Sequence, residues 1–117
     1  MRIRIKNIRL KTIIGIFDWE RTTPQDVLIN VQFEIDGSRV AESDSIKDCV
    51  DYKTMTHRIV DQVAKSNYKT LEALSNFVLG LVLEQDGVLR AEVEVDKPGA
   101  LRHSESVSVT CRGERSR

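Results

Sequence analysis

Four side chains in this sequence are of kinds that carry protons or grip polar rings. Lys97 closes the run Glu92-Val93-Glu94-Val95-Asp96 and is followed at once by Pro98-Gly99, one of only two prolines in the chain. Glu20 stands beside Trp19 in FDWER, Tyr52 lies in VDYKT and Glu72 in TLEAL. An amine, two carboxylates and a phenol are the equipment of general acid/base catalysis and of hydrogen-bond anchoring. Each also has an ordinary reading. A lysine at a strand end is usually solvated, and an acidic residue in a first helical turn answers the helix dipole. A tyrosine at a helix start is amphipathic filling, and Glu20 reads as a solvated carboxylate beside a packing aromatic. His57 falls in a helical stretch and His103 after a turn, and neither has the neighbouring ligands that a zinc site needs. Arg102-His103 could meet a phosphate, or could simply be an exposed pair at a strand start.

The elements that must hold these groups are legible from periodicity. Ile3 and Ile5 alternate with basic residues, and then Ile8, Leu10, Thr12, Ile14 and Ile16 continue on the other parity. A phase change at Lys6-Asn7 predicts one long strand with a bulge. Val27, Ile29, Val31, Phe33 and Ile35 share one face of a second strand. Met55, Ile59 and Val63 recur at helical spacing, as do Leu71, Leu74, Phe77, Val78, Leu81 and Val82, with SNYK between the two helices. After Asp86-Gly87, Ala91, Val93 and Val95 alternate, and beyond Gly99 so do Val107, Val109 and Cys111. The order ββααββ predicts an α+β domain, a four-stranded antiparallel sheet with two helices on one face. A sheet this small leaves edges that a partner subunit could pair.

The 117 residues suit one domain, taken as 1–112, with 113–117, GERSR, as a frayed tail. Eighteen basic and eighteen acidic residues give zero formal charge, which removes the general electrostatic argument for a nucleic-acid partner. The N-terminus has no signal-peptide core, and no apolar run approaches the roughly 20 residues of a membrane span. Two cysteines far apart and no Cys-x-x-Cys pair fit a reducing compartment, so a cytoplasmic location off the membrane is expected.

Taken in order, IRIKNIRLKTIIGI, FDWER, QDVLINV, DYKTMT, TLEAL, AEVEVDKPGALR and SVSVT resemble the dihydroneopterin aldolase family and its sibling, the dihydroneopterin triphosphate epimerases. The resemblance implies the tunnelling fold, or T-fold, in which subunits join edge to edge as a tetrameric ring that closes a barrel, two rings usually stacking as an octamer. It places sites between subunits and makes a pterin the small-molecule partner. By the same resemblance Glu72 is the pterin anchor, with a backbone contact from Leu71. Lys97 is the catalytic acid/base; Tyr52 reaches the site across a subunit boundary, as a second catalytic and substrate-binding residue whose hydroxyl could orient the substrate side chain or help relay a proton and whose ring could cover the pterin; and Glu20 binds near the substrate's side-chain hydroxyls with Lys97 as charge partner.

The implied reaction is a retro-aldol cleavage of 7,8-dihydroneopterin. The C2′ hydroxyl loses its proton, the C1′–C2′ bond breaks, glycolaldehyde leaves, and reprotonation at C1′ gives 6-hydroxymethyl-7,8-dihydropterin for folate biosynthesis. Since the ring's own C=N bond takes up the electrons, the family chemistry implies neither a cofactor nor a metal. FDWE and KPGA look like the aldolase, whereas RIKNIRL, DYKT and ALRHSESVSVT look like the epimerase, in which the fragment adds back with C2′ inverted. The aldolase is the leading expectation, possession of both activities is compatible with it, and the triphosphate epimerase is the alternative. A non-catalytic pterin-binding or ring-forming protein is a third reading, because a fold alone never establishes chemistry.

Overall fold

A computed structural model describes residues 1–115. Four strands, β1 (Arg2–Thr12), β2 (Gln25–Glu34), β3 (Arg90–Pro98) and β4 (Ser106–Glu114), form one antiparallel sheet in the order β1-β2-β3-β4. The helices α2 (Tyr52–Ala64) and α3 (Leu71–Leu83) cover one face, α2 lying on β1 and α3 on β3 and β4. The core between the layers is the alternating set read from the sequence: Val27, Ile29, Val31 and Phe33 from β2, Val93 and Val95 from β3, Met55, Ile59 and Val63 from α2, and Leu74, Val78 and Val82 from α3.

The phase change in β1 is a bulge. Pairing with β2 shifts between Ile5 and Ile8, and Asn7 takes φ of 54°. Asparagine tolerates that left-handed conformation better than most residues. Here it is also held, because the Asn7 N–H donates to Asn30 Oδ1 at 2.9 Å while Asn30 Nδ2 donates to Asn7 Oδ1 at 3.2 Å. The bulge returns Ile8 and Leu10 to the buried face. Ile14 stays buried beyond the strand, but Ile16, expected to continue the alternation, is 66% exposed because the backbone leaves the sheet at Thr12.

Two details depart from the sequence reading. Between β2 and α2 the chain forms an extra short helix, α1 (Ser38–Ser43), with no buried residue and therefore no apolar periodicity to announce it. At the other end, β4 continues through Gly113 and Glu114, which pair with Ala91 and Arg90, so the last strand runs into the segment read as a tail; residues 116 and 117 lie outside the described residues. Two caps fix where α2 and α3 begin. Asp51 accepts the Thr54 N–H at 2.9 Å, making Tyr52 the first residue of α2, and Thr70 accepts the Ala73 N–H at 3.1 Å, placing Leu71 and Glu72 in the first turn of α3. Among the described residues no helix is long and apolar enough to cross a membrane.

Candidate active site

Strand alternation alone decides which way Lys97 points. Ala91, Val93 and Val95 face the core, so Lys97, two residues further along β3 and opposite Val107, falls on the same buried side. It is only 9% exposed. A buried ammonium requires a partner, and Lys97 Nζ donates to Glu20 Oε2 at 2.6 Å. Glu20 is itself 5% exposed, whereas its neighbour Trp19 is 58% exposed. The ordinary reading of FDWER is thus inverted: the carboxylate goes inward and the aromatic outward.

Glu20 lies on a single 3-10 turn, Asp18–Arg21, whose geometry places the carboxylate within several donors. Its Oε1 accepts the Phe17 N–H at 3.2 Å. Its Oε2 accepts from Gln25 Nε2 at 3.0 Å as well as from Lys97, and the same Gln25 nitrogen donates to the Ile14 carbonyl at 2.8 Å. The carboxylate packs directly over Gly15, where an added Cβ would sit 2.2 Å from Glu20 Cδ and where φ is +123°. Only glycine meets both conditions without strain. Gly15→Ala is therefore expected to lower the unfolding free energy by at least about 2 kcal/mol and to expel the Glu20 carboxylate, as a chemical-denaturation midpoint and a crystal structure of the variant will show.

The bond from Lys97, then those from Gln25 and Phe17, hold the Glu20 carboxyl down from its ordinary value of 4.5 to about 2, against the opposing effect of burial. Because the folded-state value is the lower one, the resulting stabilisation is complete above the unfolded value and fades as pH falls from about 4.5 towards about 2. A shift of that size corresponds to roughly 3 kcal/mol. The expected outcome is an acid limb in the stability-versus-pH curve of the wild type that is visibly flatter in Glu20→Gln.

Of the residues singled out by sequence, the fold brings Glu20 and Lys97 together from positions 77 apart in the chain. Leu71 is half-buried and Glu72 exposed at the start of α3, and Tyr52 is 53% exposed at the start of α2. The Glu72 carboxylate and the Tyr52 hydroxyl make no hydrogen bond among the described residues. His57 and His103 are both exposed, as is Arg102. Among the described residues no group of three or more His, Cys, Asp or Glu side chains is placed to hold a metal ion. Sequence reading overlooked Gln25, which bridges Glu20 to β1's exit, and Gly15, which makes room for it. An isolated glycine in the apolar run IIGIF was the signal available for the second; nothing marked the first.

The family model described as dihydroneopterin aldolase matches residues 3–112. A dihydroneopterin triphosphate 2′-epimerase of Pseudomonas aeruginosa is 43% identical over 97% of this chain and 93% of its own length. A dihydroneopterin aldolase of Escherichia coli is 27% identical over 90% of this chain and 86% of its own. The crystal structure of Escherichia coli dihydroneopterin aldolase in complex with neopterin superposes with a TM-score of 0.91 at 25% identity, covering 97% of this chain and 98% of that one. With four antiparallel strands, the paired helices and a match of this extent, the chain belongs to the dihydroneopterin aldolase family.

Proposed function

We propose that this protein opens the C1′–C2′ bond of a dihydroneopterin side chain by retro-aldol chemistry, with Lys97 as the proton carrier. The single observation that carries this reading is the buried Lys97–Glu20 pair at 2.6 Å. A lysine at a solvated strand end would be free to rotate. Here one N–H direction is fixed on Glu20 Oε2, which aims the remaining directions of the ammonium and supplies a counter-charge that stays ionised at neutral pH. On this reading Lys97 acts in its neutral amine form, taking the proton from the C2′ hydroxyl, and the ammonium so formed, held by the Glu20 carboxylate, returns that proton to C1′ after the bond breaks. The dihydropterin C=N accepts the electron pair, so the chain's own task is positioning and proton movement.

The other residues fit complementary roles. Glu72, exposed in the first turn of α3, can accept two parallel N–H donors from the pterin ring, with a backbone contact from Leu71 beside it. Tyr52, also exposed, can reach a site on a neighbouring copy. Two features support assembly into a ring. Among the described residues, the outer strands β1 and β4 are long and unpaired on one side, and Ile16, Phe17, Trp19 and Leu101 expose apolar surface around the Glu20 turn and the β3–β4 connection. Edge pairing between copies would satisfy the first and cover the second.

A second reading, 2′-epimerisation of the triphosphate, is favoured by the higher identity to the Pseudomonas aeruginosa epimerase, 43% against 27% for the Escherichia coli aldolase. Both readings share the first bond cleavage and differ in whether the two-carbon fragment, with any phosphates it bears, leaves or adds back. A product-resolved assay with 7,8-dihydroneopterin and its triphosphate separates them. Release of glycolaldehyde and 6-hydroxymethyl-7,8-dihydropterin from the free substrate supports the aldolase. Inversion at C2′ of the triphosphate without fragment release supports the epimerase. Absence of either product, with the pterin still bound, leaves a binding protein.

A further inference from the structure

Glu20 and Arg21 are consecutive on the 3-10 turn, and their side chains diverge. Glu20 goes to β3, while Arg21 crosses to the connection between α2 and α3. There Arg21 Nη1 donates to the carbonyls of Gly15 at 2.9 Å and Tyr68 at 3.2 Å, and Nη2 donates to the Asn67 carbonyl at 2.5 Å. Arg21 makes no ion pair among the described residues, so its hydrogen-bonding capacity is spent on backbone. The Gly15 N–H adds a longer bond to the Tyr68 carbonyl at 3.4 Å. Three carbonyls from two chain segments are thus gathered on one planar guanidinium, a geometry that a lysine ammonium does not reproduce.

The α2–α3 connection is fixed independently from its other side. Thr12 Oγ1 lies 2.6 Å from the Val63 carbonyl in the last turn of α2 and 3.2 Å from the Ser66 carbonyl in the connection, and the Tyr68 ring packs against Phe77 with centroids 5.5 Å apart. It runs directly into Thr70, the cap that places Leu71 and Glu72. Among the described residues, the segment carrying Glu20 is hydrogen-bonded to that connection through the Gly15 N–H and the Arg21 fork.

We propose that Arg21 is a positioning residue: its guanidinium ties the Glu20 turn to the α2–α3 connection, and so sets the proton-transfer pair relative to the pterin-anchoring start of α3. This rests on the roles given above to Lys97 and Glu72. Loss of the fork displaces Glu20, and with it the aim of Lys97, while α3 and its Glu72 keep their place.

The test uses the full-length protein with Arg21→Ala and Arg21→Lys. In Arg21→Ala, kcat per folded subunit is expected to fall roughly 10- to 100-fold, the effect of a displacement of about 1 Å at the reacting groups. Affinity for 6-methyl-7,8-dihydropterin, which has the ring but no hydroxylated side chain, is expected to change less than about threefold, since its anchor lies on α3. Trp19, the chain's only tryptophan, rides the same turn. Its acrylamide quenching, already substantial at 58% exposure, should rise further by a measurable margin as the turn loosens. Millimolar guanidinium, but not potassium, should restore part of both signals, and Arg21→Lys should recover less than wild-type kcat. Unchanged kcat and quenching would overturn the proposal. So would a parallel loss of ring affinity, thermal stability and kcat with no guanidinium rescue, which marks a purely structural arginine. Should Lys97 prove dispensable for turnover, the catalytic reading fails while the Trp19 quenching and its rescue still decide whether Arg21 holds the turn.

Discussion

Replacing Lys97 with alanine is expected to reduce turnover about 10²- to 10⁴-fold, the range associated with loss of a positioned acid/base group. Pterin affinity should fall only modestly, because Glu72, the carboxylate proposed as the anchor, sits on a different element. The variant should also be less stable, since Glu20 would remain buried and charged with only Gln25 and the Phe17 N–H as partners. Truncating one partner of a buried pair typically costs about 3–5 kcal/mol. Activity must therefore be referred to the folded fraction, measured by circular dichroism at the assay temperature. Pairing Lys97→Ala with Glu20→Gln removes the orphaned charge and gives a second, better-folded test of the same loss. Turnover at the wild-type level in either variant would sink the mechanism.

Glu72→Ala should produce the opposite signature. The exposed carboxylate has no hydrogen bond within the described chain, so its removal should disturb folding by no more than the roughly 0.3–1 kcal/mol of a helix-dipole interaction. Binding should collapse. Two hydrogen bonds to a charged acceptor, at about 1.5–3 kcal/mol each, correspond to roughly a 10²- to 10⁴-fold weaker pterin complex. Calorimetric titration of the folded variant with a pterin checks this directly. A dissociation constant within a few-fold of wild type would remove Glu72 from the anchor role. The contrast is informative because one variant loses rate with limited loss of binding, while the other loses binding with limited loss of stability.

The two residues differ in the same way in how far the sequence revealed them. Glu72 could be placed from local rules, since the helical apolar spacing that opens at Leu71 puts it near the start of that helix, where the structure has it in the first turn. The bulge at Asn7 was equally local, because a change of alternation parity has one economical cause. Lys97 was legible as a strand end, yet the same alternation that identified the strand also sends Lys97 inward, and that implication becomes visible only when a carboxylate is found to meet it. Glu20 was misread on local grounds, because Trp19 beside it looked like the packing residue and is instead exposed. The resemblance to the family correctly suggested Lys97 as the charge partner of Glu20. It supplied neither the Gln25 bridge nor the fork of Arg21.

By itself, the sequence determined the four strands, the two covering helices, their order and their apolar faces, because periods of two and 3.6 residues act over a few neighbouring residues. Only the tertiary structure decided that residues 20 and 97 would share one buried ion pair, that Gly15 would leave room for it, and that residues 21 and 67–68 would be tied together. The physical reason is the range of the interactions. A buried charge is tolerated only where a complementary group from elsewhere in the chain arrives within hydrogen-bond distance, and that meeting depends on how the Glu20 turn, the sheet and the helix connection pack, which no local pattern encodes.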